Sequence, residues 1–183
     1  MRLFFGIQLA DNIREYLSDI ILEFQSYIPS GIKWVEKENL HITFQFIGEV
    51  KPTQLEVVEE SFLTSISACE RQKVRIRGLE LFPLSKPRLI WISLSSENRQ
   101  FAKATKSLRN FLKQAGFNIE DKEFVPHITL GRIKTNLMKP QIDFILEKEI
   151  EKHDIDINAI SLFESNLTKK GAIYRILQTY NLK

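Results

Sequence analysis

The chain carries an internal repeat, and a duplicated module constrains both the fold and the site. The tetrapeptide His-Ile-Thr-Phe at 41–44 recurs as His-Ile-Thr-Leu at 127–130. Further along, residues 74–82 align without gaps to residues 155–163, and the apolar positions of these two segments coincide. Two modules of about 80 residues each therefore share one order of elements. We interpret that order as strand, helix, strand, His-containing strand, helix and strand, twice over, with an extra strand at the end.

Hydrophobic spacing predicts a mixed fold. Apolar residues recur at helical spacing over 13–28 and 108–115, and again after Pro52 and Pro140. Helices combined with many short strand-to-strand links predict an α+β fold with mainly antiparallel sheets. We expect two pseudo-symmetric lobes, each a sheet with helices on its outer face, with a cleft between them. No linker tract separates the halves, so residues 1–183 are predicted to form a single bilobal domain built from an internal duplication.

Composition narrows the classes of protein that the chain can belong to. It has 26 Lys and Arg against 23 Asp and Glu, and this small surplus does not by itself indicate a nucleic-acid-binding protein. The single cysteine, Cys69, excludes an internal disulfide and any Cys-rich metal site. With no signal-peptide core and no apolar run of roughly 20 residues, the chain is predicted to be cytoplasmic and to make no membrane contact.

Each repeated tetrapeptide presents a polar pair on one face of a strand. Successive side chains on a β-strand point to opposite faces, so His41 and Thr43 share one face while their apolar neighbours anchor the strand in the core. The same alternation places His127 and Thr129 on one face of the second strand. If a pseudo-twofold axis relates the lobes, these two polar faces meet across the cleft.

Two opposed histidines suit in-line displacement at phosphorus, which needs a base on one side and an acid on the other. An imidazole pKa of about 6.5 lets one copy be neutral and the other charged near neutral pH. Threonine hydroxyls can donate hydrogen bonds to the non-bridging phosphoryl oxygens. We predict no cofactor and no metal, because the motif residues lack the number and spacing of zinc ligands. The third histidine, His153, lies in a charged run and is interpreted as a solvated loop residue.

The motifs and their flanking residues resemble the 2H phosphoesterases and, within that superfamily, the RNA 2′,3′-cyclic phosphodiesterases, also called 2′-5′ RNA ligases. The resemblance covers essentially the whole chain, although Lys33 stands where arginine is common. It rests on Arg2-Leu3-Phe4, Lys33-Trp34-Val35, 39–44, 46–49, Leu81-Phe82-Pro83, 87–91, 124–132 and 171–174.

The resemblance implies hydrolysis of a 2′,3′-cyclic phosphate to a 2′-phosphomonoester, with 2′-5′ ligation of RNA ends as a minor activity. It implies that His127 is the proton acceptor that activates water and that His41 is the proton donor to the departing 3′ oxygen. The residues alone do not order the two roles, since the motifs are nearly interchangeable. Thr43 and Thr129 map onto the family's phosphate-binding hydroxyls.

Three further residues are candidates for substrate binding. Arg132 lies five residues after His127, an offset that places it on the opposite face of an ideal strand, although a strand end or a bulge can still aim it at the phosphate. A surface salt bridge is the alternative. Phe124 and Tyr174 are candidates for stacking on a base, with core packing as the alternative.

A basic stripe follows strict period two over Arg71, Lys73, Arg75 and Arg77. It is typical of a solvated strand face, and contact with an RNA backbone is the other interpretation.

The predicted substrates are RNA ends or nucleotides that carry a 2′,3′-cyclic phosphate, with no obligate protein partner and a monomeric chain. Two alternatives remain open. The same fold can act on 2′,5′-oligonucleotides or a small cyclic nucleotide, and a non-catalytic RNA-binding module would retain binding without the histidines.

Overall fold

The computed structural model describes residues 1–95, 99–168 and 171–183 and has the predicted α+β architecture. The strands are β1 (Arg2–Gln8), β2 (Ile32–Trp34), β3 (His41–Glu49), β4 (Gln72–Phe82), β5 (Leu89–Ser95), β6 (His127–Ile133), β7 (Asp154–Ile157), β8 (Ala159–Leu167) and β9 (Ala172–Asn181). The helices are α1 (Asp11–Tyr27), α2 (Leu55–Ile66), α3 (Gln100–Gln114) and α4 (Lys139–Leu146), with 3₁₀ turns at Lys37–Asn39 and Pro52–Gln54.

The described strands form one antiparallel sheet in the order β7-β4-β5-β6-β3-β1-β8-β9, with β2 paired to β6. The strands β3 and β6 pair through Ile42 and Ile128, the middle residues of the two His-Ile-Thr motifs. This junction divides the sheet into two lobes. One lobe contains β1, β3, β8 and β9, and the other contains β2, β4, β5, β6 and β7.

The lobes do not coincide with the two halves of the sequence. Strands β8 and β9 follow the second His-containing strand along the chain, yet β8 pairs with β1 of the first half. Strand β4 of the first half pairs with β5 and β7 in the other lobe. Because only Asn158 separates β7 from β8, the sheet nearly closes on itself. Each lobe is therefore assembled from both halves of the repeat.

The helices cover the face of the sheet that is opposite the histidines. Phe44, which shares its strand face with Ile42, packs near Phe62 of α2 and Phe101 of α3, with ring centroids 6.0 and 5.6 Å away. Ile42 and Ile128 are both fully buried in the same core. Within the described residues, no helix is both long enough and apolar enough to cross a membrane.

One predicted element is absent. The repeat predicts a strand between α3 and β6, corresponding to β2, but residues 117–126 form no strand. The segment contains four consecutive charged residues, 120–123, and it runs along the rim of the cleft, where it lines a cavity. A solvated, charged segment of this kind gains little from pairing in a sheet.

Candidate active site

The junction of β3 and β6 brings the two motifs side by side. Continuing the antiparallel register by one residue on each side of the Ile42–Ile128 pair sets His41 across from Thr129, and Thr43 across from His127. All four polar side chains share the face opposite the helices. In this register the two histidines are diagonal to each other, one on each side of the Ile42–Ile128 pair.

His41 is held by its own strand and surrounded by aromatic rings. Its Nδ1 lies 2.7 Å from the carbonyl oxygen of Asn39, and its Nε2 lies 3.0 Å from Oγ1 of Thr43. A carbonyl oxygen only accepts, so Nδ1 carries the proton and donates it. The ring of Phe4 packs at 5.0 Å, and the ring of Tyr174 stands edge-on at 5.3 Å. The atom left for chemistry is Nε2, beside the threonine hydroxyl.

The Nδ1 atom of His127 is held in the same way on the other strand. Its Nδ1 lies 2.7 Å from the carbonyl oxygen of Val125, which again fixes the proton on Nδ1. The ring of Trp91 packs against the imidazole with centroids 4.4 Å apart, and its Nε1 donates to Glu80 at 3.3 Å. Phe82 also stacks on Trp91, with ring centroids 4.4 Å apart. Trp91 therefore forms the wall of the cleft that supports His127.

Burial sets the protonation of both histidines. Loss of solvent lowers the pKa of His41, and the hydrogen bond to Asn39 only partly opposes this effect. The positive charges of His127 and Arg132 lower the pKa of His41 further. Burial likewise lowers the pKa of His127, and Arg132 adds to the shift. An anion bound between the rings would reverse part of this shift, because it favours the charged imidazolium.

The two histidines and the two threonines open on one cavity of about 580 Å³. Arg132, Phe124 and Tyr174 line the same cavity, so every site residue predicted from the sequence converges on it. Its volume lies in the range of small-molecule sites, roughly 300–1,000 Å³. In the part of the chain that the structure describes, no three His, Cys, Asp or Glu side chains form a group that could hold a metal ion.

A β-bulge turns Arg132 toward the cleft. In the pairing of β5 with β6, Ile90 is opposite Gly131 but Trp91 is opposite Thr129, so Leu130 is an extra residue. An extra residue reverses the alternation of side chains beyond it. Arg132 therefore returns to the face of His127 despite the odd offset, and it is exposed there. This geometry favours a side chain that the bulge aims into the cavity over a surface salt bridge.

The first motif has a matching bulge, which exposes a residue that the sequence interpretation did not single out. In the pairing of β1 with β3, Phe44 is an extra residue three positions after His41, just as Leu130 is three positions after His127. The position equivalent to Arg132 is Phe46, whose side chain is 53% exposed and lines the cavity. The internal repeat could have identified Phe46, because Phe46 and Arg132 each lie five positions after the histidine of their motif.

The two predicted stacking residues occupy different positions. Phe124 is half-buried, and its ring lies 5.7 Å from Phe44, so it combines core packing with a place on the cavity wall. Tyr174 is also half-buried and contacts Phe4 at 5.0 Å as well as His41. Burial raises the pKa of the Tyr174 hydroxyl, which therefore stays protonated at neutral pH. Neither ring is fully free to stack.

The remaining histidine lies away from the cavity. His153 lies in a loop, as predicted, but its side chain is only 34% exposed and is therefore partly rather than fully solvated. Its ring packs edge-on against Tyr16 at 4.8 Å, because the charged run folds back onto α1.

Two of the four cations of the basic stripe, Lys73 and Arg75, pair with aspartates of the neighbouring strand. Arg75 donates to both carboxylate oxygens of Asp154 at 2.6 and 3.1 Å, and Lys73 lies 3.7 Å from Asp156. These contacts favour a solvated strand face over an RNA track.

Comparison with known proteins gives matches over the whole chain. The sequence pattern of the family described as LigT like Phosphoesterase matches residues 7–91 and again residues 92–174. The RNA 2′,3′-cyclic phosphodiesterase of Archaeoglobus fulgidus is 34% identical over 98% of this chain and 99% of its own length. The solved structure of TT0787 from Thermus thermophilus has a TM-score of 0.76 at 23% identity, covering 100% of this chain and 98% of that chain. The structure of E. coli LigT complexed with 3′-AMP has a TM-score of 0.71 at 21% identity, covering 99% and 97%.

The two solved structures establish the fold, and the fold with its paired motifs defines a phosphoesterase of the two-histidine class. Within that class, the chain belongs to the LigT-like phosphoesterase family, whose pattern it matches once in each half of the repeat.

Proposed function

We propose that this chain hydrolyses the 2′,3′-cyclic phosphate at an RNA end and leaves a 2′-phosphomonoester. The observation that carries the proposal is the pair of imidazoles at the β3–β6 junction, each with Nδ1 bound to a carbonyl and Nε2 left for the cavity. The Archaeoglobus fulgidus relative, which aligns over nearly its entire length, carries the name of this activity. E. coli LigT, which shares the fold, was solved with the nucleotide 3′-AMP.

In the proposed mechanism, water attacks phosphorus in line with the departing 3′ oxygen. His127 accepts the proton of the water at Nε2, and the bond from phosphorus to the 3′ oxygen breaks. His41 donates a proton to that oxygen from its Nε2, so the ester to the 2′ oxygen remains. The assignment of acid and base follows the family resemblance. Ligation is the analogous reaction in which the 5′ hydroxyl of a second RNA replaces water as the nucleophile. The same bond from phosphorus to the 3′ oxygen breaks, a 2′,5′-phosphodiester forms, and each histidine keeps its role.

The other site residues stabilise the charge that grows on the phosphoryl oxygens. Thr43 and Thr129 donate hydroxyl hydrogen bonds, and Arg132 supplies a positive charge from the bulged strand. Phe124 and Tyr174 bound the space for the base. No metal or cofactor takes part in the proposal.

We also propose that the chain acts as a monomeric, bilobal unit in the cytoplasm. Both histidines come from one chain, so the site is complete without a partner. The buried free thiol of Cys69 is compatible with a reducing compartment.

The reaction is tested with an RNA oligonucleotide that ends in a 2′,3′-cyclic phosphate, in excess EDTA, with the position of the product phosphate determined. The proposal predicts a 2′-phosphate formed without added metal. A 3′-phosphate product, or turnover that EDTA abolishes, would overturn the proposed mechanism. Turnover of a 2′,5′-linked oligonucleotide with none of the cyclic phosphate would move the activity to the first alternative substrate.

The pH dependence follows from the lowered pKa values of the two histidines. The acid must be protonated while the base is neutral, so kcat/KM is expected to be bell-shaped. Because both pKa values in the free enzyme lie below their usual range, the maximum of kcat/KM is expected below about pH 6.5. The bound phosphate raises the pKa values of both histidines. The maximum in the pH profile of kcat is therefore expected at a higher pH than the maximum for kcat/KM. A kcat/KM that still rises above neutral pH would contradict this assignment.

A further inference from the structure

A second cavity of about 470 Å³ adjoins the catalytic one. Phe46, Arg132 and Tyr174 line both cavities, so the two form a continuous groove across the face of the sheet. Its far wall is built from β1, β2 and the ends of the β8–β9 hairpin. The mechanism proposed above uses no residue that lies only in this second cavity, which we call the basic pocket.

The basic pocket concentrates positive charge. It is lined by Arg2, Lys33, Arg132 and Lys134, against one carboxylate, that of Glu36. All four cations are exposed, and within residues 1–95, 99–168 and 171–183 none of them forms an ion pair. The stripe on β4 provides the contrast, because its Lys73 and Arg75 face aspartates on β7.

Two of these cations oppose each other directly in the sheet. Lys33 of β2 is the cross-strand partner of Arg132 of β6. Like charges opposite one another destabilise a sheet, so this arrangement costs stability unless an anion binds between them. Lys134 lies two residues beyond Arg132 and also lines the pocket. The geometry therefore favours an anionic ligand in contact with several cations at once.

We propose that the basic pocket binds a phosphate carried on the 5′ oxygen of the reacting nucleotide, which in RNA is the preceding phosphodiester. This inference rests on the proposed function, because the terminal ribose must present its cyclic phosphate to the histidines. The strand then leaves the catalytic cavity from the 5′ side, and the next anionic group lies one nucleotide away. The exposed ring of Phe46, on the border between the two cavities, offers a stacking surface for a base. The pocket thereby distinguishes RNA ends from free nucleoside cyclic phosphates.

The test compares kcat/KM for adenosine 2′,3′-cyclic phosphate, the same compound with a 5′-phosphate, and the dinucleotide ApA with a 2′,3′-cyclic phosphate. The wild type is expected to favour both phosphate-bearing substrates over the nucleoside. Lys33→Gln and Lys134→Gln should each lower kcat/KM for the phosphate-bearing substrates by about tenfold. For the nucleoside substrate, kcat/KM of these two variants should stay within about twofold of the wild-type value. If only the dinucleotide has a higher kcat/KM than the nucleoside substrate, the pocket recognises the phosphodiester together with its attached nucleoside. If both phosphate-bearing substrates have the same higher kcat/KM, the pocket recognises the phosphate alone.

Lys73→Gln is the matched control, since it removes one exposed strand lysine outside both cavities. The salt dependence of KM for the dinucleotide should also become weaker in each pocket-lysine variant, and not in the control, because a contact between opposite charges is screened by salt.

The outcomes separate this proposal from the proposed function. Hydrolysis of the nucleoside substrate with no advantage for the phosphate-bearing ones overturns the basic pocket and leaves the catalytic proposal standing. The basic pocket is also overturned if Lys33→Gln and Lys134→Gln lower kcat/KM equally on all three substrates. The same holds if Lys73→Gln lowers kcat/KM as much as the pocket-lysine variants do. If no substrate is hydrolysed, the proposed function fails, and binding of a labelled RNA trinucleotide with a 2′-phosphate decides the pocket. Equal affinity of the wild type and the Lys33→Gln, Lys134→Gln double variant would then reject it.

Discussion

Replacing either His41 or His127 with alanine is expected to lower kcat on the cyclic phosphate by about 10²–10⁴-fold, the range measured for general acid and base groups. Each imidazole is held at Nδ1 by a carbonyl oxygen. Among the described residues, the side chains that pack against the two rings include Thr43, Tyr174 and Trp91, none of which exchanges a proton near neutral pH. The measurement is kcat and KM for each variant on one RNA end, at the pH optimum of the wild type.

His153→Ala provides the matched control, because this half-buried histidine lies outside the cavity. It should retain the activity of the wild type. The double variant His41→Ala, His127→Ala should lose little more than the stronger single variant, because groups that act as one unit are not additive. A folded His41→Ala or His127→Ala variant with more than about a tenth of the wild-type kcat would refute the acid–base pair.

Ile42→Ala is expected to lower the free energy of unfolding by about 2–5 kcal/mol. Ile42 is fully buried and pairs with Ile128 at the junction of the two lobes. Truncation leaves a cavity between the sheet and the helices at the point where the two histidine strands meet. Urea unfolding at constant pH measures the loss, provided that the m-value stays unchanged.

Two controls bound this prediction. Ile42→Val keeps most of the side chain and should cost about 0.5–1.5 kcal/mol. Ile173→Ala, at a position 60% exposed on β9, should change stability by less than about 0.5 kcal/mol. A double-mutant cycle of Ile42→Ala with Ile128→Ala should give a coupling of at least about 0.5 kcal/mol. Additive losses would contradict direct packing across the junction.

The sequence predicted the fold class, and it named residues that the structure gathers at one cavity, because both depend on local patterns. Period-two alternation placed His41 with Thr43 and kept Ile42 in the core, and the structure has this arrangement. The repeat of the motif predicted that a second such pair exists. The α+β class followed from spacing alone, since alternation and helical periodicity are properties of short segments.

Features that depend on strand pairing were beyond local patterns. The exchange of β4 and β8 between lobes depends on which strands meet, and hydrophobic periodicity does not encode this choice. The face on which Arg132 lies depends on the bulge at Leu130, which appears only in the register of β6 against β5. The internal repeat predicted a strand at 117–126. The segment forms none, because its charged residues favour a solvated position at the rim of the cleft.

The basic pocket could not be predicted from sequence patterns either. Lys33 and Arg132 are about 100 residues apart in the chain, and only the pairing of β2 with β6 brings them together. Phe46 is the intermediate case, because the repeat marks its equivalence to Arg132 while the exposure of its ring depends on packing.

In the proposed mechanism, His41 delivers a proton to the departing 3′ oxygen while His127 activates water. A cyclic phosphate with sulfur in place of the 3′ oxygen tests it most directly. A thiol has a pKa of about 8.5, far below that of an alcohol, so a thiolate leaves without help from an acid. We predict that His41→Ala regains most of the wild-type rate on the sulfur substrate, whereas His127→Ala stays inactive on both substrates. Recovery by His127→Ala would reverse the two roles, and recovery by neither variant would contradict general acid catalysis by the pair.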